Sequence, residues 1–293
     1  MQSKPRKPRW RRALTFLLIL FSGYLLVCLA LAKLYVSPLR SHTPALRLFA
    51  RTTLQDGEPI WISPGLQTGH PKGTTLYVMS HGLGGGIGHY SDLGNELVAK
   101  GYDVVLTEMC AHGDSPDITS GFGTKESDII VEATRWARAK YAKPPRVVLV
   151  GVSLGGASSW LATEKAPDLF DAIVTEGAFT HLDDVSNNFF DRRIRGAHII
   201  FWPVKFFASK MAGVTPTDVN PIEAAKKWRK PALIIHCGAD NLMKLSYAED
   251  LASASHGDLW IIPKASHASG CNVDKADYLK RLLALAKIRD SGI

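Results

Sequence analysis

The sequence predicts an α/β fold in which a mostly parallel sheet carries helices on both faces, preceded by one transmembrane helix. From residue 74 onwards, short apolar runs alternate with helical patterns, an order that is typical of parallel sheets. One connection in this series is more than fifty residues long, which is too long for a plain crossover. The N-terminal region contains twenty consecutive uncharged residues, enough to cross a bilayer.

Charge and hydropathy divide the first 45 residues into three segments. Residues 1–12 form a tail with six Lys or Arg and no acid, and residues 13–36 form a helix whose uncharged part reads ALTFLLILFSGYLLVCLALA. Because basic residues stay on the cytoplasmic side, we expect a single-pass protein with its N-terminus inside and the remaining chain outside the cytoplasm. The alternative is secretion after signal cleavage at Ala30-Leu31-Ala32. Residues 37–45, with two prolines, are predicted to be a linker.

The distribution of charge argues against nucleic-acid binding. The net charge of +8 comes largely from the N-terminal tail, and the remaining chain holds 29 of the 35 basic residues against 27 acidic ones. A nearly neutral body has no broad surface for phosphates. We therefore expect no nucleic-acid partner, and the basic tail is assigned to the membrane.

The cysteine pattern predicts no structural metal site. The four cysteines are Cys28, in the apolar segment, and Cys110, Cys237 and Cys271. None of them forms the Cys-x-x-Cys pair that is typical of a zinc site. An oxidising compartment would permit one disulfide among the last three, and the sequence does not assign it.

The domain over residues 46–289 is predicted to open with a hairpin and to continue as alternating strands and helices. Asp56-Gly57 provides the turn between the strands 46–54 and 60–63. Further strands are predicted over 74–80, 102–108, 146–152, 171–176, 232–236 and 258–263. Helices are predicted over 90–100, 125–141 and 276–288. In such a fold the chemistry is carried by the loops after the carboxyl ends of the strands.

The long connection after residue 176 predicts an inserted cap over residues 178–222. Its middle, residues 198–207, reads HIIFWPVKFF and is unusually aromatic. These side chains either pack the cap onto the sheet, form an acyl-binding wall or dip into the nearby membrane. Ordinary packing is the simplest of the three interpretations, since aromatic stripes are usually buried.

Residues 147–156, VVLVGVSLGG, predict a buried strand that turns sharply into a helix at Ser153. Gly151 and Gly155 lie on either side of the serine, where a strained turn leaves little room for a Cβ atom. Small residues follow at positions 157–159. A serine exposed on such a turn is predicted to be a nucleophile.

A serine nucleophile needs a base, and the base needs a carboxylate that orients it. His267 follows the last predicted strand, and Asp240 follows the preceding one. The carboxyl ends of neighbouring parallel strands lie at the same edge of a sheet, so we predict that His267 is the base and Asp240 the acid. The competing acids are Glu176, Asp183 and Asp184.

The oxyanion of an acyl-transfer intermediate needs two backbone N–H donors. One is predicted to be the amide of Leu154, directly after the nucleophile. The other is assigned to Leu83 in the loop HGLGGG, residues 81–86, which follows the strand 74–80. No Lys-Ser or Lys-Thr follows these glycines, so the loop is not a phosphate-binding P-loop. His81 is expected to organise this loop and not to act as the base.

Taken together, these residues resemble the α/β-hydrolase superfamily, in its monoacylglycerol-lipase-like and serine-aminopeptidase-like branch. The resemblance covers roughly residues 46–289 and rests on His81-Gly82, on residues 151–155, and on the Asp and His after the last two strands. The stretches NPIEAA (220–225) and AHGDS (111–115) also match. The chain departs from the family at Glu108-Met109-Cys110-Ala111 and at Cys237, which puts substrate preference in question.

The resemblance implies a serine hydrolase that cleaves a carboxylic ester or a lipid acyl group and needs no metal or organic cofactor. The small-molecule or lipid ester would be the partner of the site, and the membrane the partner of the N-terminal helix. Two other functions remain open at this stage. One is a peptidase or amidase of the serine-aminopeptidase type, and the other is a non-catalytic, membrane-tethered scaffold.

Overall fold

A central sheet of eight strands organises the protein in the computed structural model, which describes residues 9–40, 46–192 and 194–287. Its strands run in the spatial order β1-β2-β4-β3-β5-β6-β7-β8. Their bounds are β1 Ala50–Thr53, β2 Pro59–Ile62, β3 Thr75–Ser80, β4 Asp103–Thr107, β5 Arg146–Val152, β6 Ala172–Glu176, β7 Ala232–Cys237 and β8 Asp258–Ile262. The first two strands pair antiparallel, and β3 to β8 are parallel. The predicted fold class is confirmed.

The central strands are apolar throughout because both faces of the sheet are covered. In β3, for example, Leu76 and Val78 point into one core, whereas Tyr77 and Met79 point into the core on the other face. This alternation is the period-two geometry of a strand. A continuous apolar run in the sequence therefore corresponds to a strand that is buried from both sides.

Helices cover both faces of the sheet. The helices are α1 Arg9–Val36, α2 Pro64–Gln67, α3 Ser91–Ala99, α4 Thr124–Arg138, α5 Leu154–Lys165, α6 Leu182–Asp191, α7 Ala197–Ile200, α8 Trp202–Ala212, α9 Pro221–Lys227, α10 Leu245–Ser255, α11 Gly270–Val273 and α12 Lys275–Lys287. Helices α4, α5, α9 and α10 pack on one face, and α3 and α12 pack on the other. The strands therefore end in loops that emerge between two helical layers.

The long connection between β6 and β7 folds as a small helical cap. Helices α6, α7 and α8 form it, and α9 returns the chain to the sheet, where Ile222 and Ala225 join the main core. The cap has an apolar core of its own, to which Leu182, Val185 and Val204 contribute. It lies over the loop edge of the sheet, because that core also includes Leu154, at the start of α5.

Among the described residues, one helix is long and apolar enough to cross a membrane, namely α1 over Arg9–Val36. Most of its surface is exposed, but its last turns join the core of the cap through Cys28, Ala32 and Val36. The segment after it is fixed to the domain. Arg40 donates hydrogen bonds to the backbone carbonyls of residues 113, 115 and 117.

Most predicted elements agree with the observed ones to within two residues, and the differences have local causes. The first strand begins at Ala50 and not at residue 46, because residues 46–49 form a turn closed by the bond from the Phe49 N–H to the Leu46 carbonyl. Helix α4 ends at Arg138, before Tyr141. The predictions for the tail residues 1–8, the linker residues 41–45 and the domain end at residues 288–289 lie outside the described residues.

Candidate active site

Ser153 lies on a strained turn between β5 and α5. Its backbone has φ 53° and ψ −117°, a region that a residue with a Cβ atom rarely adopts. The turn is fixed by the Ser153 N–H, which donates to the Glu176 carbonyl at 2.8 Å. The serine is therefore held at the end of a central strand, at the loop edge of the sheet.

Two glycines allow this turn because their neighbours leave no room for a side chain. A Cβ atom on Gly151 would overlap the carbonyl of Gly155, and one on Gly155 would overlap the carbonyl of Ser80 in β3. Both obstacles are backbone atoms, which cannot move aside as the end of a flexible side chain can. The glycine spacing is therefore required by the close approach of α5 to the strands β5 and β3.

The structure brings three of the predicted site residues into one hydrogen-bonded chain. The Nε2 atom of His267 lies 3.0 Å from Ser153 Oγ, and its Nδ1 atom lies 2.7 Å from Asp240 Oδ2. These residues follow β5, β7 and β8, whose carboxyl ends share one edge of the sheet. An imidazole with Nδ1–H bonded to the carboxylate can accept the serine proton at Nε2.

Asp240 is held in its ionised form. Burial alone would raise the pKa of this carboxyl, but hydrogen bonds from His267 and from the N–H groups of Met243 and Leu242 outweigh it, so the pKa lies below its usual 3.8. The hydrogen bond from the Leu242 N–H measures 2.8 Å and the one from the Met243 N–H measures 2.9 Å. Because the pKa is lowered on folding, this group stabilises the protein above pH 3.8, and the contribution is lost as the pH falls through the lowered value.

The three competing acids lie elsewhere. Glu176 is fully buried, and its Oε1 atom accepts hydrogen bonds from the Gly270 N–H at 2.8 Å and from Cys237 Sγ at 3.1 Å. Asp183 pairs with Lys205, and Asp184 accepts a hydrogen bond from Tyr247. None of these carboxylates bonds to His267. Glu176 instead holds the loop that carries this histidine.

Leu83 and Leu154, the two predicted oxyanion donors, both line the pocket that contains Ser153. Leu154 is the first residue of α5, where an N–H has no acceptor within the helix. Neither amide donates to another group in the part of the chain that the structure describes. Gly82 brings its loop close to the nucleophile, since a Cβ atom there would lie 3.0 Å from Ser153 Cβ. Both donors remain available to a substrate oxygen.

His81 lies behind this loop and not at the serine. Its ring is buried, with Nδ1 2.8 Å from the Gly82 carbonyl and Nε2 3.1 Å from Glu108 Oε1. The Met109 N–H also approaches Nε2, at 3.2 Å. The contacts with Glu108 and Met109 join the loop after β3 to the loop after β4, and the contact with Gly82 lies within the first loop, so His81 fixes the backbone that carries Leu83.

Comparison with known proteins agrees with this architecture. A family model described as the α/β hydrolase fold matches residues 78–199. The esterase Pf2001 of Pyrococcus furiosus shares 19% identity, with a TM-score of 0.69 over 86% of this chain and 97% of that one. This chain has the α/β-hydrolase fold.

Two further proteins match this chain at low sequence identity. A structure from work on the metagenome-derived lipolytic enzymes LipS and LipT is 18% identical, with a TM-score of 0.57 over 80% of this chain and 99% of that one. The uncharacterised protein YqkD of Bacillus subtilis (strain 168) is 24% identical over 191 residues. That match covers 61% of this chain and 60% of YqkD, so the chain spans three fifths of the relative's length.

An apolar pocket opens beside Ser153. Its volume is about 240 Å³. Its walls come from the oxyanion loop, α5, the cap, the loop after β7 and, unexpectedly, the end of α1. Besides Ser153 and His267 it is lined by Tyr35, Leu83, Phe122, Leu154, Phe179, Leu182, Val185, Phe189, Leu242 and Met243. Such a pocket suits a hydrocarbon chain better than a charged group.

His112 is a site residue that the sequence did not single out. Its Nδ1–H donates to the Cys110 carbonyl at 2.8 Å, and its Nε2 accepts the Gly84 N–H at 2.7 Å, next to Leu83. Burial and the neighbouring His81 lower the pKa of His112 from 6.5 to about 4. The neutral ring is therefore available as an acceptor at neutral pH. The signal in the sequence was its position in the AHGDS stretch after β4.

Replacing His112 with phenylalanine is expected to lower kcat by about 10- to 100-fold with little change in KM, because the loop that carries the Leu83 amide loses its support. His112→Gln, which keeps an acceptor, should recover part of the loss. Because the pKa of His112 is lowered on folding, its stabilising effect is complete above pH 6.5 and is lost as the pH falls through about 4. Equal kcat values for the Phe variant and the native protein would contradict this role.

One group of side chains could hold a metal ion. Ligand atoms of Glu58, Cys110 and Asp117 lie within 4.8 Å of one another. Burial raises the pKa of Glu58 to about 7. Protein groups already contact two members, since Ser115 donates to Glu58 at 2.9 Å and Lys125 lies 3.2 Å from Asp117. The Ser115–Glu58 bond ties the β1–β2 hairpin to the loop after β4, and the Lys125–Asp117 pair ties α4 to the same loop. The chemistry proposed below uses neither contact.

Proposed function

We propose that this protein is a serine hydrolase that cleaves carboxylic esters or lipid acyl groups. The observation that carries the proposal is the hydrogen-bonded chain from Ser153 through His267 to Asp240. In this scheme His267 takes the proton of Ser153 as Oγ attacks the ester carbonyl, and Asp240 stabilises the imidazolium that forms. The amides of Leu83 and Leu154 bind the oxyanion.

The reaction then continues through an acyl-enzyme. His267 returns its proton to the leaving alcohol, and the acyl group remains on Ser153. A water molecule, activated by the same histidine, attacks the acyl carbonyl and releases the acid. In this series of reaction steps, residues of the protein make every proton transfer.

The pocket supports an ester with an apolar acyl part. Its lining is almost entirely aromatic and aliphatic, and apart from the Tyr35 hydroxyl its polar side chains are Ser153 and His267, which are assigned to the chemistry. A peptide substrate with a charged N-terminus would need a carboxylate in this wall, and the lining contains none. Two similar structures agree with this choice, since one is an esterase and the other comes from work on lipolytic enzymes.

The N-terminal helix is proposed to anchor the enzyme, with the catalytic domain outside the cytoplasm. Its uncharged segment is long enough to cross a bilayer, and basic residues precede it. Cleavage after Ala32 would remove two residues, Cys28 and Ala32, that are buried against the cap. Their burial supports a retained anchor over a cleaved signal.

The proposal is tested by assaying the purified full-length chain on matched ester and amide substrates that carry the same acyl group and the same chromophore. We expect ester hydrolysis that disappears in Ser153→Ala. Faster cleavage of the amide, or of an aminoacyl amide, would favour the peptidase alternative. No turnover of either substrate would favour a non-catalytic scaffold.

A further inference from the structure

The C-terminal half of α1 packs against the cap as one membrane helix packs against another. A stripe at four-residue spacing is buried on α1, at Cys28, Ala32 and Val36. The facing stripe on α8 consists of Val204, Ala208 and Ala212. Small residues at this spacing let two helices approach closely, as they do in bilayers. The anchor and the cap therefore form one unit.

The direction of α8 places part of the cap at bilayer depth. The Tyr24 hydroxyl donates to the Ile200 carbonyl, just before α8 begins. The apolar residues of α1 before Tyr24 are exposed, whereas the buried ones lie after it, so α8 runs from this contact towards Val36. Tyr24 lies nine residues before Lys33, where the uncharged segment ends. At 1.5 Å per residue, the contact lies roughly 13 Å below the level of Lys33.

The largest exposed side chains of α7 and α8 at this depth are apolar, next to His198, which is paired with Asp191 at 2.7 Å. Ile199 is 71% exposed, Trp202 is 57% exposed and Phe206 is 42% exposed. The rings of Trp202 and Phe206 stack at 5.4 Å. About one turn after Phe206 the stripe ends at Lys210, whose Nζ lies 5.9 Å from the Phe206 ring. Along α8 the exposed face thus changes from apolar at Trp202 to charged at Lys210. The distance between these two residues is roughly the distance between Tyr24 and Lys33 on α1.

One wall of the pocket lies where α1 meets the cap. Tyr35, near the end of α1, and Phe189, on α6, both line the pocket that contains Ser153. Their ring centres lie 6.0 Å apart, and both side chains are half-buried. The membrane helix therefore supplies part of the wall against which a substrate chain would lie.

We propose that the exposed apolar face of α7 and α8 lies in the bilayer beside α1, and that the pocket takes its ester directly from that leaflet. The occupant of this face is lipid, because the face continues the lipid-facing surface of α1 and ends at Lys210 as α1's uncharged segment ends at Lys33. The acyl chain would lie against the wall that Tyr35 and Phe189 form. This inference rests on the ester hydrolysis proposed above and adds the source of the substrate.

The position of the face can be measured without any activity. The full chain is reconstituted in phosphatidylcholine vesicles with and without acyl-chain bromine, which quenches tryptophan fluorescence on contact. We expect Trp202→Phe to remove a large share of the quenchable fluorescence. Trp260→Phe, at the far edge of the sheet on β8, is the control and should leave it unchanged. Equal quenching of the native protein and Trp202→Phe would overturn the proposal.

The source of the substrate is tested with the double variant Trp202→Glu/Phe206→Glu. Its matched control is Leu259→Glu/Ile261→Glu, which adds two charges to comparably exposed apolar residues on β8. We expect the cap variant to hydrolyse a long-chain ester in vesicles about tenfold more slowly than the native protein and the control, and a short water-soluble ester within about twofold. An unchanged rate on the vesicle ester would overturn the proposal. If even the native protein cleaves neither ester, the hydrolase proposal fails, and the quenching result still decides membrane contact.

Discussion

A Ser153→Ala variant is expected to hydrolyse esters at least about 10⁴-fold more slowly than the native protein, because no other group can form the acyl-enzyme. The substitution removes one oxygen and leaves the turn, the glycines and the pocket intact, so the melting temperature should change little. Steady-state kinetics on a chromogenic ester measure the first effect, and thermal unfolding followed by circular dichroism measures the second.

Ser159→Ala is the matched control for this variant. Ser159 lies in α5, and its hydroxyl donates to the Gly155 carbonyl at 2.8 Å. It is a buried serine near the nucleophile that takes no part in the proposed chemistry. Retention of most activity in Ser159→Ala, together with its loss in Ser153→Ala, assigns the reaction to Ser153. Comparable losses in both variants would point to a disturbed helix α5 and not to a lost nucleophile.

The second large effect is expected from the acid. Asp240→Asn should lower kcat by roughly 10³- to 10⁴-fold, because an amide cannot stabilise the imidazolium and favours the wrong histidine tautomer. Glu176→Gln should change kcat by less than about tenfold, since its amide oxygen can still accept the Gly270 N–H that holds the His267 loop. The comparison is made at neutral pH, where Asp240 is ionised. The reverse order of the two effects would reassign the acid to Glu176.

These predictions concern residues whose order along the chain already indicated their roles. The alternation of strands and helices predicts a parallel sheet, and in such a sheet the ends of neighbouring strands meet at one edge. Ser153, Asp240 and His267 each follow a strand of that sheet. The sequence therefore predicted which residues would lie together, and the two glycines around Ser153 predicted the turn that carries it.

The choice between acids was a different problem. Glu176 ends β6, which is next to the nucleophile strand β5, and Asp240 follows β7, one strand further away. The sequence left both acids open. The distinction depends on side-chain direction. The Glu176 carboxylate turns into the sheet, towards Gly270 and Cys237, whereas Asp240 faces His267. A shift of one residue in strand register turns a side chain to the opposite face of the sheet. The pattern of apolar residues in the sequence does not define the register to within one residue.

Contacts between distant parts of the chain could not be predicted from the sequence. Tyr35 reaches the pocket because α1 continues past the end of its uncharged segment and packs under the cap. His112 supports the oxyanion loop from a neighbouring strand end. Neither residue has a periodic or sequence-local signal for these roles. For the aromatic cap segment the sequence left packing, an acyl-binding wall and membrane contact open, and in the structure Ile199 and Trp202 are largely exposed.

The contacts of α1 with the cap and the pocket bear on the role of the N-terminal helix. If α1 were only a tether, its residues would contribute nothing to the pocket, and a shorter or substituted anchor would serve equally well. In the structure its last turns are part of the cap core, and Tyr35 is part of the pocket wall. We therefore propose that α1 and the domain that carries Ser153 act as one functional unit.

The central claim is that Ser153 is an activated nucleophile, and covalent labelling with a fluorophosphonate probe tests it most directly. The probe forms a stable bond with a serine whose hydroxyl is activated by an adjacent base. The full-length native protein should be labelled, with the adduct on the peptide that contains Ser153, and folded Ser153→Ala should remain unlabelled. Absence of labelling in the native protein, or equal labelling of the alanine variant, would contradict the account.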